Sequence, residues 1–399
     1  MSGDGDVNFD KAEGRILSSP HAFKLAVFGA NCSSGASMTS AEDRLKATWE
    51  ESTQIARACD SAGIEALIPI ARWRGFAGDT NFEGRSFDPI TWAAGLSAIT
   101  TTVQVFATVH VPTAHPVRLA KEVATIDHIS GGRFGLNLVA GWNAPELSMF
   151  GLTQREHDNR YEFADEFVEI LTRLATEEDE FDFAGQGYSL KNAISDPKPI
   201  QRPFPVVMSA GVSARGREFA ARHADINIVV ADDQDRAASL VRGVKEHAKE
   251  RYGRDIMVLT QGHIVCADTE KEAKAKADYY FKDKLDRPGA EKLLSLLIPN
   301  TESHPTYDRV QRVACGWGAL QLRGTPEQVV EAMTEIAATG VDGLLISWVD
   351  YLDGLEQFQS KILPLMIEAG LRSDESSDTG PLLAGPAVRQ GSAADGEGI

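Results

Sequence analysis

The chain has 399 residues, with 40 Lys and Arg against 58 Asp and Glu, which gives a formal net charge of −18 at pH 7. This acidic balance argues against nucleic acid or an anionic membrane as the main partner. Hydrophobic residues make up 43% and charged residues 25%, ordinary values for a globular protein with a large core. The N-terminus lacks the pattern of a signal peptide, and no apolar run approaches the ~20 residues of a membrane span. We therefore expect a cytoplasmic protein.

The cysteines Cys32, Cys59, Cys266 and Cys315 lie far apart in the sequence and form no CxxC pair. This spacing favours buried free thiols over a disulfide framework or a zinc site. We therefore predict no metal centre in this protein.

Apolar runs alternate with helical patterns along most of the chain. The predicted strands are Lys24–Asn31, Glu65–Arg72, Val103–Val111, Arg133–Trp142, Pro205–Gly211, Ile226–Val230, Ile256–Ala267 and Val341–Val349. The predicted helices are Asp43–Ala62, Pro89–Thr100, His115–Ser130, Arg160–Ala175, Ser213–His223, Asp235–Tyr252, Lys271 to about Leu297, Pro326–Thr339 and Gly354–Met366. Eight strand–helix units predict an α/β protein with a closed (β/α)8 TIM barrel. An open doubly wound sheet is the alternative, although such sheets usually stop at about five to seven strands.

Composition divides the chain into three parts. Residues 1–22 are expected to form a flexible N-terminus, 23–372 one barrel domain, and 373–399 a disordered tail rich in Gly, Ser, Ala and Asp. Two stretches do not fit a minimal barrel, near 73–88 and 268–324. We interpret both as insertions on the face of the barrel where loops carry function.

Two polar residues are expected to face the barrel interior near the carboxyl ends of the strands, where barrel active sites lie. Side chains alternate along a strand, so Phe134 and Leu136 would pack outwards and Asn137 would point inwards. The same alternation turns Thr108 and His110 to one face. Neutral groups such as those of Thr108 and Asn137 suit a small polar ligand or a developing anion. A purely structural hydrogen bond inside the barrel explains the pattern equally well.

The segment Ser209–Gly216, SAGVSARG, follows a predicted strand and opens a helix. Gly211 permits a close backbone turn and Ser213 is a favourable N-cap, so a phosphate site or an ordinary capped helix is indicated. No GxGxxG, P-loop or GxSxG motif follows a strand, which disfavours a Rossmann dinucleotide site and a serine hydrolase. The cationic and aromatic residues of Arg72–Phe76 would grip an aromatic ligand or pack the first insertion.

Several motifs resemble those of bacterial luciferase-like flavin-dependent monooxygenases, nearest to the pyrimidine oxygenase and dimethylsulfone monooxygenase branch. The motifs are RGFAG at 74–78, ATIDHISGGRFGLNLVAGWNAPE at 124–146, RY at 160–161, SAGVSARG at 209–216 and GLLISWVDYLDGLEQFQSKILPLM at 343–366. The resemblance covers nearly all of the chain from Lys24 to Met366. It agrees with the barrel predicted from the strand–helix pattern.

The resemblance also implies a set of site residues. As catalytic residues, Thr108 and Asn137 would place dioxygen beside the flavin. Glycines at 135 and 141 would keep the interior clear for the flat cofactor. The implied FMN-binding residues are Ala71, Arg72, Asn137 and Glu146 near the ring, and Arg160, Tyr161 and Ser213 at the phosphate.

The implied reaction is that of a two-component monooxygenase. A separate NAD(P)H:flavin reductase would supply reduced FMN, and O2 would form a peroxyflavin that opens a heterocyclic amide. The alternatives are a sulfone or sulfonate monooxygenase, a deazaflavin-dependent reductase that uses no O2, and a flavin-binding protein without turnover. Thr108 favours the pyrimidine side, because related sulfone monooxygenases have alanine there, whereas Trp73 and segment 268–324 depart from the pyrimidine pattern. Proteins of this kind are expected to form homodimers or homotetramers.

Overall fold

The computed structural model describes residues 9–10, 15–211, 213–231, 233–297 and 306–374. Its centre is a closed barrel of eight parallel strands in which each strand pairs with the next and the last pairs with the first. The strands are β1 Lys24–Phe28, β2 Ala66–Ile68, β3 Gln104–His110, β4 Phe134–Val139, β5 Val206–Ser209, β6 Ile226–Val229, β7 Met257–Cys266 and β8 Gly343–Ser347. The predicted TIM barrel is therefore confirmed.

A helix lies between each strand and the next around the barrel. The helices are α1 Trp49–Ser61, α2 Pro89–Ser97, α3 Pro116–Ser130, α4 His157–Thr176, α5 Ala214–His223, α6 Gln234–Tyr252, α7 Pro326–Ala338 and α8, which runs from Tyr351–Gln357 through the π-helical turn Phe358–Ile362 to Leu363–Glu368. The first predicted helix was too long. It begins at Trp49 because Thr48 and Glu51 form a capping box that ends the preceding loop.

The strands alternate as predicted. Phe134, Leu136 and Leu138 belong to the large core shared with the helices, whereas a separate cluster containing Phe106 fills the barrel interior. The expectation for Gly135 was wrong: a Cβ atom there would lie 2.4 Å from the Phe106 ring, so this glycine makes room for a core side chain and not for a cofactor. Gly141 has a φ of +85°, a conformation that glycine adopts readily.

The segment after β7 is more elaborate than the single helix predicted from Lys271 to about Leu297. Its helix Glu270–Asp278 passes through a π-helical turn, Tyr279–Asp283, and a new helix, Arg287–Leu297, follows. The break has a physical cause, because Pro288 cannot donate a backbone hydrogen bond and the Asp286 carboxylate accepts one from Gly289 N.

The same segment contains two further elements. A helix, Tyr307–Ala314, is followed by a ninth strand, Leu320–Gly324, which pairs in parallel with the end of β7. The buried Asp286 carboxylate also accepts hydrogen bonds from Asp79 N and Thr80 N. These bonds tie the segment to the loop after β2 on the carboxyl side of the barrel.

Short elements outside the barrel were not predicted. Among them are the helix Ala144–Met149, the antiparallel pair Phe181–Ala184 and Ser189–Ala193, and the short parallel pair Phe9–Asp10 and Gln201–Arg202. Within the expected flexible N-terminus, Arg15–Ser18 forms a helical turn whose Ile16 is fully buried. The expected disordered tail lies outside the described residues from residue 375 onwards. The four cysteines are buried free thiols, as predicted. In the described part of the chain, no helix has the length and apolar character needed to cross a membrane.

Candidate active site

Thr108 and Asn137 meet at the carboxyl end of the barrel. They are partners in the β3–β4 register, and both are at least nine-tenths buried. The Thr108 hydroxyl donates to the carbonyl oxygen of Pro69 at 2.5 Å, and Asn137 Nδ2 donates to Thr108 Oγ1 at 3.0 Å. Since the hydroxyl proton goes to Pro69, Thr108 acts towards Asn137 as an acceptor. The two side chains therefore converge as predicted, and a hydrogen bond joins them.

This arrangement leaves one polar atom without a partner. Asn137 Oδ1 is buried and accepts no hydrogen bond from the described residues. An unsatisfied buried acceptor costs about 1–3 kcal/mol. The pair thus offers a ligand an amide oxygen as acceptor and the second N–H of Asn137 as donor, and both are held in position by Thr108.

A buried ion cluster lies beside this pair. The Arg72 guanidinium donates from Nε to Glu83 at 2.7 Å and from Nη1 to Glu146 at 3.1 Å. The other oxygen of Glu146 accepts from the backbone nitrogens of Trp73 and Arg74 at 2.9 and 3.1 Å. Two of the predicted FMN-binding residues, Arg72 and Glu146, thus bind each other. We call Arg72, Glu83 and Glu146 the mouth cluster.

Three aromatic rings surround the Arg72 guanidinium. Its central carbon lies 4.6, 5.6 and 5.7 Å from the ring centroids of Phe76, Trp142 and Trp317. Trp317 Nε1 also donates to Glu83 at 3.0 Å. Burial raises the pKa of Glu83 to about 7, because the loss of hydration outweighs the stabilisation that the carboxylate receives from Arg72 and Trp317; the charge of Glu146 adds to the rise. The cluster therefore holds a proton near neutral pH or carries a negative charge.

The predicted phosphate-binding residues surround the start of α5. Ser213 caps this helix by accepting from Gly216 N at 3.0 Å, and a Cβ atom on Gly211 would lie 2.7 Å from the Cα atom of Gly216. A Cβ atom on Gly216 would lie 2.6 Å from the Tyr161 hydroxyl. The two glycines thus allow a turn that a larger residue would obstruct, with Tyr161 and Ser213 beside it.

The two arginines Arg160 and Arg215 differ in their hydrogen-bond partners. Arg160 Nη1 donates to the Gly141 carbonyl at 2.6 Å, while its buried Nε has no partner among the described residues. Arg215 donates instead to Asp165 at 2.7 Å. Arg160 therefore has one buried donor without a partner among the described residues, whereas Arg215 is paired with Asp165.

Two residues of this site were not predicted from the sequence: Glu83, a member of the mouth cluster, and Trp317, which donates to it. Both lie on irregular segments with positive φ, so no strand or helix period marks their side chains. Ala71 is buried three residues beyond β2, which ends at Ile68 and not at Arg72 as predicted. Asn31, also at a strand end, has a structural role: its amide bonds to both backbone groups of Ile70 at 2.8 Å.

The chain is similar to known proteins in sequence and in fold. The family model described as luciferase-like monooxygenase matches residues 23–343. Pyrimidine monooxygenase RutA from Acinetobacter baylyi is 30% identical over 354 residues, which is 86% of this chain and 94% of that protein. RutA from Caulobacter vibrioides is 30% identical over 329 residues, or 80% of this chain and 91% of that protein.

Two solved structures share the fold. A crystal structure of riboflavin lyase (RcaE) with modified FMN and substrate riboflavin has a TM-score of 0.77 at 23% identity and covers 88% of this chain and 92% of that one. DmoA from Hyphomicrobium sulfonivorans has a TM-score of 0.78 at 19% identity, with 89% and 90% covered. Given the family match over most of its length, the chain belongs to the luciferase-like monooxygenase family, which makes it a monooxygenase and implies a flavin cofactor.

Proposed function

We propose that this protein is the oxygenase of a two-component system, which uses O2 and FMN reduced by a separate NAD(P)H:flavin reductase to oxidise a small heterocyclic amide. The observation that carries the proposal is the Thr108–Asn137 pair with its unpartnered amide oxygen at the carboxyl end of the barrel. The similarity to pyrimidine monooxygenases over most of the chain supports the choice of substrate class.

The residues present fit a flavin mononucleotide. Asn137 Oδ1 is an acceptor in need of a donor, and reduced flavin carries ring N–H groups. Arg160 Nε and the turn at Gly211 and Gly216 together offer a donor and a cradle for a phosphate. Ala71 and Glu146 would line the ring side, Glu146 chiefly by holding the backbone of Trp73 in place. When bound, the flavin supplies the electrons that activate O2.

The remaining work falls to the protein. Thr108 orients the Asn137 amide, and that amide stabilises negative charge as it develops on oxygen, because its dipole is already aligned in a site that excludes water. The mouth cluster holds the loop after β2 against the loop after β4, since Glu146 binds Arg72 as well as the backbone of Trp73.

Replacement of Thr108 by valine tests the oxygen role. Thr108→Val removes the acceptor that orients Asn137, so we expect the oxidation of uracil with photoreduced FMN and O2 to fall by about 100-fold while FMN affinity stays the same. Thr260→Val is the matched control, because Thr260 makes the same kind of bond, from its hydroxyl to the Val229 carbonyl at 3.0 Å, away from Asn137. A Thr108→Val enzyme that loses only FMN affinity would refute this role.

Replacement of Ser213 by alanine tests the phosphate site. Ser213→Ala should weaken FMN binding about tenfold and leave riboflavin binding nearly unchanged, because only FMN carries a phosphate. The loss of the cap costs about 1 kcal/mol of stability by itself. Thr325→Ala controls for this cost, since Thr325 caps α7 through Gln328 N. Equal weakening of both flavins would place the phosphate elsewhere.

A further inference from the structure

An aromatic wall stands beside the mouth cluster, formed by Trp73, His110 and Phe150. The Trp73 ring centroid lies 5.7 Å from that of His110 and 5.2 Å from that of Phe150. Trp73 and Phe150 keep 36% and 42% of their surface exposed, so two packed rings remain accessible to a ligand at this place. We call these three residues the wall.

His110 is the polar part of the wall. It is the last residue of β3, two positions beyond Thr108, so alternation turns both side chains to the interior. Its side chain is almost fully buried, yet neither ring nitrogen has a hydrogen-bond partner in the described part of the chain. Burial, together with the charge of Arg72, lowers the pKa of His110 to about 3. The imidazole is therefore neutral at working pH and offers one donor and one acceptor.

The charge near the wall favours an uncharged ligand. Arg72 forms ion pairs with two carboxylates, so its positive charge is already compensated and does not attract an anionic substrate. When both Glu83 and Glu146 are ionised, the mouth cluster has a net negative charge and repels anions. Trp73 is held in place because its backbone nitrogen donates to Glu146 at 2.9 Å.

We propose that the wall binds the substrate, with Trp73 and Phe150 contacting a flat ring and His110 hydrogen-bonding to its amide edge, and that it selects uncharged rings over anionic ones. This inference rests on the proposed function, because it identifies the residues that recognise the heterocyclic amide. It makes His110 a substrate-contacting residue of this enzyme, distinct from the Thr108–Asn137 pair.

Calorimetric titration of the full-length, FMN-loaded protein tests the wall, with uracil as the neutral ring and orotate as its anionic analogue. We expect orotate to bind at least tenfold more weakly than uracil. His110→Phe should weaken uracil binding about tenfold, the equivalent of one hydrogen bond, and His110→Gln should recover part of the loss. Trp73→Ala should weaken it as well. The control is Trp49→Ala. Trp49 is similarly exposed, and its ring centroid lies 6.0 Å from that of Phe87, outside the mouth cluster.

Oxygen uptake separates the two proposals. Uracil binding that depends on His110, without any oxidation of uracil when reduced FMN and O2 are supplied, would leave the wall in place and refute the oxygenase. If the KM and kcat of His110→Phe for uracil equal those of the unmodified protein, the wall is refuted and the proposed function is not. Equal binding of orotate and uracil, or no binding of uracil to the unmodified protein, would also overturn the wall, and O2 uptake with a panel of small sulfones would then decide the proposed function independently.

Discussion

Two buried ion clusters lie at opposite ends of the barrel, and they differ in charge balance. At the amino ends of β1 and β2, Arg372 Nη1 lies 3.0 Å from Glu65, which also accepts from Leu25 N at 2.9 Å. At the carboxyl ends, Arg72 faces both Glu83 and Glu146. The amino-end cluster has one carboxylate for one guanidinium, whereas the mouth cluster has two.

The difference separates structural from functional use of buried charge. A balanced pair joins elements, here the first two strands and the chain after α8, and its charges cancel. In an unbalanced cluster one buried carboxylate is not fully compensated by a positive charge. The desolvation of that carboxylate costs free energy, and such a cost is typical of functional sites. The comparison predicts that both clusters support the fold and that only the mouth cluster affects the flavin.

The largest expected effects come from removing each arginine. Arg72→Met and Arg372→Met should each lower the free energy of unfolding by about 3–5 kcal/mol, because each leaves buried carboxylates unpaired. Urea denaturation would measure the loss. FMN titration should then show at least tenfold weaker binding in Arg72→Met and unchanged binding in Arg372→Met. The lysine variants Arg72→Lys and Arg372→Lys keep the charge and provide folded protein if the methionine variants unfold. A flavin defect of equal size at both ends would break the comparison.

A smaller effect concerns pH. The pKa of Glu83 is about 7 in the folded protein and near 4.5 when exposed, so the folded state keeps a proton that the unfolded state releases. The contribution of Glu83 to the free energy of unfolding is fully present below about pH 4.5. As the pH rises through 7 this contribution is lost, which lowers the free energy of unfolding by about 3 kcal/mol. Glu83→Gln should remove that loss, so its stability should exceed that of the original protein more at pH 8 than at pH 5. The measurement is denaturation of both proteins at several pH values. If the stability of Glu83→Gln and that of the original protein change in parallel with pH, Glu83 is already ionised at pH 5 and the prediction is wrong.

The smallest effects come from single hydrogen-bond donors to the two clusters. Trp317→Phe removes the donor to Glu83 and should cost about 1.5–3 kcal/mol at pH 8, because the acceptor is charged and buried. Ser19→Ala removes a donor to Glu65 at 2.7 Å and should cost less than about 1 kcal/mol, since Ser19 is half-buried and water can replace it. Thermal melts of the two variants would give the ranking. A larger cost at Ser19 would contradict the view that the mouth cluster is the more strained.

The sequence was sufficient for the barrel because its signals are local. Apolar runs, caps such as Ser213 and glycine stops such as Gly131 lie within single units and need no long-range information. Thr108 and Asn137 could be paired for the same reason, since both lie on strands whose side chains alternate. Their hydrogen-bond directions could not be predicted, because these depend on the Pro69 carbonyl at the end of another strand.

The contacts that form the mouth cluster could not be predicted from such local signals. Trp317 reaches Glu83 across 234 positions of the sequence, and both residues lie in loops without a period. The helix break at Asp286 could have been predicted from Pro288, whereas the bonds from Asp286 to Asp79 and Thr80 could not. Contacts between two irregular segments depend on how both fold, and neither segment alone carries that information.

The ninth strand, Leu320–Gly324, has a consequence for protein engineering. It pairs with Gly262–Cys266, the same strand from which the segment departs, so the segment leaves and rejoins the barrel along one edge. Residues 268–324 can therefore be exchanged between related barrels as a cassette with its own sheet anchor. A graft that keeps this pairing, Asp286 and Trp317 would preserve the sheet anchor, the bonds to the loop after β2 and the donor to Glu83. The other buried contacts of the cassette, such as the bond from the Tyr280 hydroxyl to Asp43, would have to be matched in the receiving barrel.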